Sequence, residues 1–255
     1  MPRPGTDKMI DPENTIVVIP ARMASRRLPG KPLADLAGLP LVIRTLRHAA
    51  SAQLGPVLVA ASDAVLADTV RRHGGDAIAT NPKLSSGFLR MAQALSLRDP
   101  KMKIEHVLML PCDLPFIDLL SLRRCLAGLT NLQVEIATLA SPLIAGAEGG
   151  EEAVQTVIAP LGSDRELAWA RDFPSSPIGS PSSTNTAGED VHQHIPVFAL
   201  RRRTIDRLAE AGLNLGLTDT AKQLGIRIAA VKVDSKPFRV DTPAQLEAAR
   251  RMLRD

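Results

Sequence analysis

Tyrosine is absent from this sequence, tryptophan occurs once and phenylalanine five times, so aromatics make up only 2% of the 255 residues. Such a chain cannot offer the rows of rings on which single-stranded nucleic acid stacks. Its core has to be built from Leu, Val, Ile and Ala, which at this length still suffices for a large one. Cysteine is nearly as scarce. Cys112 and Cys125 form neither a disulfide framework nor a zinc-ligand spacing, which fits a reducing compartment. No apolar run approaches the ~18 residues of a membrane span, and residues 1–14 contain no apolar signal core. A dominant charge is lacking too: 31 basic against 27 acidic residues leave +4, and the Arg-Arg pairs are dispersed. That balance is too mild to imply a polyanion. With 45% hydrophobic and 23% charged residues the composition is that of a globular chain rather than a disordered one. The expectation is a cytoplasmic protein that binds no nucleic acid and inserts into no membrane, with residues 1–14 as a loose tail.

What is present is an alternation of short apolar runs with helical periodicity. Residues 15–19 (TIVVI), 57–61 (VLVAA), 77–79 and 106–110 (HVLML) read as buried strands. Between and after them, 41–50, 64–73, 86–97 and 115–129 read as helices, with Asp63 capping the second and Gly74-Gly75 ending it. A further strand is expected at 134–139. The pattern predicts an α/β fold, a mostly parallel sheet with helices on both faces. Ligands of such sheets sit at the carboxyl ends of the strands, near a switch in strand order. The second half is less regular. Strands are expected at 154–158, 195–200 and 227–233 and helices at 204–211 and 242–253. An uncharged Pro/Ser/Thr-rich stretch, 174–188, reads as a mobile loop.

The loop after the first strand, PARMASRRLPGKPL from Pro20 to Leu33, concentrates Arg22, Arg26, Arg27 and Lys31. Four cations so close repel one another unless an anion joins them, and a triphosphate suits: Arg supplies forked donors and Lys a compact point charge. Small residues, Ala24 and Ser25, let backbone N–H groups approach phosphate. The spacing is not that of a Walker A loop, and no G-x-G-x-x-G follows the first strand, which argues against a dinucleotide-dependent oxidoreductase. A plain basic surface loop has the same composition.

Two aspartates are candidates for a cation. Asp113, in Pro-Cys-Asp-Leu-Pro, lies just past a buried strand and would face the basic loop across the same sheet end; alternatively it caps the next helix. In Val240-Asp-Thr-Pro, Thr242 and Gln245 make a capping box with Pro243 at the first helical position, which leaves Asp241 free to face a site. Magnesium on nucleotides is held by one or two carboxylates together with phosphates and water.

The run PARMASRRLPGKPL resembles the signature of the sugar-acid cytidylyltransferases, and most closely the 3-deoxy-manno-octulosonate (Kdo) cytidylyltransferase, or CMP-Kdo synthetase, family. The resemblance extends over most of residues 15–253. It implies a Rossmann-like nucleotidyltransferase fold, CTP and a 2-keto sugar acid as substrates, magnesium as cofactor, a homodimer, and a place in lipopolysaccharide synthesis. It assigns Arg22, Arg27 and Lys31 to the phosphates, with Ala21 and Ser25 beside them, and Asp113 and Asp241 to the metal. Arg26 stands where the family has a small hydroxyl residue. Cys112 and Leu114 replace Gly and Glu beside Asp113, and Pro-Cys-Asp-Leu-Pro is also similar to the metal segment of molybdopterin-guanine-dinucleotide-type nucleotidyltransferases.

Elsewhere the pattern departs. Of the family's His-x-Ser-Gly-Thr-acid-Arg segment, which helps hold cytosine and ribose, Ser86, Gly87 and Arg90 remain, while Leu84, Phe88 and Leu89 are substitutions. Ser86-Gly87 is also an ordinary helix start. In the acceptor half Gln155 stands for a Lys, and of a His-x-Gly-x-Tyr-x-Tyr strand only His194 is kept, followed by Phe198 and Leu200. A lone His on an apolar strand can equally be a core residue. Arg90, Gln155 and His194 are the expected acceptor contacts. The resemblance thus implies one nucleotidyltransferase domain over 15–255. Its CTP part spans 15–140. An acceptor-binding and dimerisation part spans 141–240, and a metal motif and helix close it at 241–255. Two alternatives stay open: a nucleotidyltransferase of another acceptor or base, and a weakly catalytic nucleotide-binding paralogue.

Overall fold

A computed structural model describes residues 10–142, 152–161, 164–173, 175–177, 190–211, 215–234 and 236–254. Along them run β1 (Thr15–Ala21), β2 (Asp35–Leu36), β3 (Leu39–Pro40), α1 (Leu41–Ser51), β4 (Val57–Ala61), α2 (Ala64–Arg72), β5 (Asp76–Ala79), α3 (Gly87–Arg98), β6 (His106–Met109), α4 (Leu119–Ala127) and β7 (Ile136–Pro142). The second half holds β8 (Glu152–Leu161), β9 (Asp164–Asp172), β10 (Ser175–Pro177), β11 (Asp190–Arg201), α5 (Arg202–Glu210), α6 (Leu217–Gln223), β12 (Ile228–Lys232) and α7 (Pro243–Met252).

Apart from the small β2–β3 hairpin, the described strands form one sheet in the order β10-β8-β9-β12-β7-β11-β6-β1-β4-β5. β6, β1, β4 and β5 pair in parallel, as do β7 and β12, whereas β11 runs antiparallel between β6 and β7. The chain moves outward from β1 to β4 to β5 and then returns to β6 on the other side of β1. This is the switch in strand order that opens a crevice beyond the carboxyl ends of β1 and β6.

Alternation along β1 divides the core into two layers. Val17, Ile19 and Ala21 pack with α1, α2 and α4 residues such as Val42, Leu66 and Leu122. Ile16 and Val18 pack with α3, α5 and α6 residues such as Met91, Ile205 and Leu217. Helices thus cover both faces, and each layer is almost wholly aliphatic, as the composition required. A smaller cluster places Leu246 and Ala249 of α7 against Leu28, Leu36 and Val240, tying the last helix to the loop after β1.

Several expectations are refined. Residues 1–9, 178–189 and 174 lie outside the described residues, and with them most of the predicted tail and of the predicted mobile loop. Residues 10–14 are not loose: Pro12–Asn14 form a 3-10 turn and Ile10 packs on the core. Residues 175–177 pair with β8. β9 and α6 are additions to the expected elements, because neither carries a clear apolar period. The expected helix at 115–129 begins only at Leu119, where Asp118 accepts the Ser121 N–H at 2.9 Å.

β11 changes partners along its length. Its first residues, Asp190 to Gln193, pair with β8, and Phe198 to Arg201 pair with β6. Between them the register against β7 slips, so that Pro196 and Val197 bulge out. Proline has no N–H for the ladder, which is why it is found at such bulges. The buried Thr138 hydroxyl donates to Val197 O at 2.8 Å, with Ile195 O at 3.3 Å, and lies 2.8 Å from His194 Nε2. With its proton directed to the carbonyls, Thr138 Oγ1 accepts from His194 Nε2–H, and Nδ1 becomes the acceptor of a neutral ring.

Burial, helped by the charge of Arg239, lowers the His194 pKa from 6.5 to about 3. Between those values the unfolded chain takes up a proton that the folded chain refuses, so stability falls as pH drops through that window. Replacing His194 by Gln should therefore flatten the acid limb of a plot of Tm against pH, whatever it does to Tm at pH 7. An acid limb as steep as that of the unaltered chain would contradict this account.

Candidate functional site

The crevice beyond β1 and β6 is a cleft of about 1170 Å³. Its floor is a pair of buried carboxylates, Asp113 and Asp241, 3% and 6% exposed. Leu110 N–H donates to Val18 O at 3.0 Å, which carries the β6 pairing one residue further before Pro111-Cys112-Asp113 turns into the cleft. Asp118 caps α4, so Asp113 has no capping duty. Asp241 is likewise released: Thr242 and Gln245 form the expected capping box of α7, and Gln245 Oε1 accepts the Asp241 N–H at 2.9 Å. A bond from Val240 N–H to Asp113 O, 2.9 Å long, fastens the two segments together.

Lys31 joins them. Its ammonium lies 2.8 Å from Asp113 Oδ2 and 3.0 Å from Asp241 Oδ1. The loop that delivers it is shaped by Gly30 in the left-handed region (φ +69°) and by bonds from Gly30 N–H to Met23 O and Lys31 N–H to Leu28 O. Ser25 Oγ accepts the Leu28 N–H at 3.3 Å. Arg27 pairs with Asp241, its side chain otherwise 61% exposed. Arg22 reaches across to Ser85 O at 3.2 Å, and Arg26 lines the cleft as well. The four cations of one loop therefore converge on one cavity, with Ala21 at its base.

The opposite wall begins at α3. Ser86 caps the helix by accepting Leu89 N–H at 3.1 Å, and Gly87 is its first residue, so the positive end of the helix dipole meets the cleft. Arg90 is 2% exposed, and its donors go to Thr80 Oγ1, Leu84 O and Asn81 O at 2.7, 2.9 and 3.3 Å. With these bonds it shapes the segment before α3, and it also lines the cleft. Phe88 belongs to the core. Further round stands His194, edge-on to Phe173 and Phe198 with centroids 4.7 and 5.4 Å away. Gln155 is placed by register opposite Gln193, and its side chain lies outside the described residues.

Arg239 is a member of the floor that no sequence motif marks. Its Nε and a terminal nitrogen both lie 3.0 Å from Asp113 Oδ2, and Nε is 3.7 Å from Asp241 Oδ2. The one available signal is its position, two residues before Asp241 and next to the Val-Asp-Thr-Pro motif. Thr218 and Asp219 of α6 also line the cleft.

Burial works against every charge on this floor, yet the charges hold one another. Burial would lower the pKa of Lys31 and Arg239 and raise that of Asp241. Asp113 raises both cations, and Lys31, Arg239 and Arg27 bring Asp241 below the usual carboxylate range. The Cys112 thiol is different: burial, with Asp113 beside it, pushes it up to about 12, so it remains a neutral thiol. A magnesium ion suits this floor. The buried Asp113 Oδ1 has no hydrogen-bond partner, and a second carboxylate, Asp241, shares the Lys31 ammonium with Asp113. The described residues contain no cluster of three or more His, Cys, Asp or Glu. Two hard oxygen donors with room for phosphate and water are a magnesium arrangement, not a zinc one.

Comparison with known proteins accords with this site. Residues 16–209 match the model of a cytidylyltransferase family. The 3-deoxy-manno-octulosonate cytidylyltransferase of Rhodopseudomonas palustris strain TIE-1 is 40% identical over 94% of this chain and 97% of its own, and that of Bradyrhizobium diazoefficiens 38% identical over 96% and 99%. A solved structure of CMP:2-keto-3-deoxy-manno-octonic acid synthetase complexed with CTP superposes with a TM-score of 0.76 at 28% identity, covering 94% of this chain and 98% of that one. A 4-diphosphocytidyl-2C-methyl-D-erythritol synthase from Anaerococcus prevotii shares the fold alone, at a TM-score of 0.59 and 10% identity over 96% of this chain and 100% of that one. With the basic loop, the paired aspartates and near full-length similarity in agreement, the chain belongs to the 3-deoxy-manno-octulosonate cytidylyltransferase family.

Proposed function

We propose that the chain transfers CMP from CTP to the anomeric hydroxyl of 3-deoxy-manno-octulosonate, with magnesium as cofactor. The products are CMP-Kdo, a lipopolysaccharide precursor, and pyrophosphate. The observation that carries the reading is the joint hold of Asp113 and Asp241 on the Lys31 ammonium beneath Arg22, Arg26 and Arg27. Acid and base are stacked at one strand end, as a polyphosphate with its counter-ion requires.

In the reaction an oxygen–phosphorus bond forms between the sugar's anomeric oxygen and the α-phosphorus, and the α–β bridge breaks. Chemistry of this kind depends on positioning and charge neutralisation. Arg22, Arg27 and Lys31 bind the phosphate oxygens and stabilise charge on departing pyrophosphate. Asp113 and Asp241 hold the cation, which when bound neutralises phosphate charge and lowers the pKa of an oxygen it touches. Ser86 and Gly87 offer the first turn of α3 to the nucleotide, and backbone at Ala21, Ser25 and Cys112 borders it. Arg90 acts by positioning the 80–84 segment. His194, neutral throughout the physiological range, offers a hydrogen-bonding ring at the acceptor end, and Gln155 is assigned there with it.

A neighbouring reading keeps nucleotidyl transfer but changes the base or acceptor. Phe88 and Leu89 stand on α3 at the polar positions of the family motif that this segment resembles, and both pack on the core. A panel of four NTPs against several sugar acids, read by pyrophosphate release, decides between them. CTP with Kdo should be the best pair. A different best pair would support the neighbouring reading, and silence throughout would leave only nucleotide binding. The described residues contain no helix long and apolar enough to cross a membrane. We place the reaction in the cytoplasm and the enzyme as a homodimer, which sedimentation would check.

Two substitutions test the floor. Asp113→Asn should lower turnover on the order of 10³-fold, as the loss of a preorganised charge does, and should also lower Tm, because Lys31 and Arg239 lose their shared partner; circular dichroism at the assay temperature checks that the variant is folded. Near-normal turnover would remove Asp113 from the chemistry. Lys31→Ala should raise the KM for CTP roughly tenfold or more, the loss of one charge-assisted contact. An unchanged KM would detach the basic loop from the phosphates.

A further inference from the structure

We propose that Arg239 is the residue that selects an acceptor bearing a carboxylate, and that it becomes available for this only when a divalent cation takes its place on Asp113 and Asp241. The inference rests on the proposed cytidylyl transfer and adds to it a residue, a ligand group and an order of events.

The geometry that points this way is an excess of partners on one oxygen. Asp113 Oδ2 receives Lys31 Nζ at 2.8 Å and two nitrogens of Arg239 at 3.0 Å, while Asp113 Oδ1, also buried, receives nothing. Without a metal, the two carboxylates are balanced by Lys31 and Arg239, with Arg27 also on Asp241. A dication on the same oxygens makes the floor strongly positive, and the like charges must separate. Lys31 is tied into the basic loop and is 13% exposed in its side chain, whereas that of Arg239 is 42% exposed. Of the two cations on Asp113, Arg239 is the one with freedom to turn; Arg27, more exposed still, contacts Asp241 and belongs to the basic loop.

Its position determines what it turns toward. The cations of the basic loop enter from β1 on one side of the carboxylates. Arg239 enters from the segment after β12, close enough to His194 for its charge to disfavour protonation of that ring. Among the described cations lining the cleft, Arg90 is engaged with the 80–84 segment and the others belong to the basic loop. Among the described residues lining the cleft, Arg239 is thus the guanidinium available to the half bounded by His194 and Phe198. An arginine fork fits a carboxylate with two parallel bonds, and a sugar acid carries that group next to its reacting carbon. An incoming acid would replace for Arg239 the carboxylate that the metal removes.

The test uses the full chain and two variants, Arg239→Gln and Arg239→Lys. Titration with manganese alone, followed by the electron paramagnetic resonance signal of the free ion, should show Arg239→Gln binding the ion several-fold more tightly than the unaltered chain, since a competing cation is gone. In steady state, Arg239→Gln should raise the KM for the sugar acid about tenfold or more and leave that for CTP within about twofold, the spread of an uninvolved contact. It should also lose the preference for the acid over its carboxamide. Arg239→Lys should keep part of that preference. Unchanged manganese affinity overturns the exchange. An unchanged acid-over-amide preference, or a rise confined to the KM for CTP, overturns the acceptor role. If the unaltered chain transfers nothing to this acid, the proposed function fails, and the manganese titration still decides the exchange.

Discussion

The organising constraint is the presence of two carboxylates, Asp113 and Asp241, on the buried floor of one cleft. Two like charges in a partly desolvated place repel strongly. They coexist because Lys31 bridges both and Arg239 and Arg27 close the network. Much of the surrounding architecture serves that bridge. The loop after β1 turns at Gly30 to bring Lys31 back over the strand ends, α4 finds another cap, and α7 is capped so as to leave Asp241 free. The bond from Val240 N–H to Asp113 O holds the segments in step. Removing a carboxylate strands cations, and removing Lys31 strands carboxylates, so charge and shape are not separable here.

How far this is readable from sequence depends on the range of the interaction. Short-range signals are legible. The apolar runs at 15–19, 57–61 and 106–110 form β1, β4 and β6, and Asp63, Ser86 and Thr242 cap the helices they precede. The basic loop and both aspartates can be named because each sits in a compact motif with an evident physical demand. Arg239 cannot, although it is two residues from Asp241. Nothing local marks an arginine as the partner of Asp113, 126 positions away, until the sheet order is known. β9 and α6 escape for a related reason, being defined by neighbours: β9 by pairing with β8 and β12, α6 by packing under α5. Arg90 is the opposite case: its motif draws attention to its charge, and only the structure shows that it is buried, with three local acceptors, where it lines the cleft.

The scarcity of aromatics takes on a narrower meaning in the folded chain. Phe173 and Phe198 stand together around His194, and no phenol is present to offer a directed hydroxyl. A ring edge contributes contact area and a weak positive rim, but it discriminates poorly among polyhydroxy ligands. Discrimination in that half of the cleft has to come from charge and from backbone. The bulge at Pro196 and Val197 interrupts the β11 ladder there. The same cleft is lined by a cation, Arg239, and a carboxylate, Asp219. On the proposed role of Arg239, such a site favours a ligand carrying both an anion and hydroxyl donors, and a neutral sugar leaves the guanidinium released by the metal without a partner. On that proposal, selection for a sugar acid needs no tyrosine, because the acid group is read by a member of the network that holds the two aspartates together.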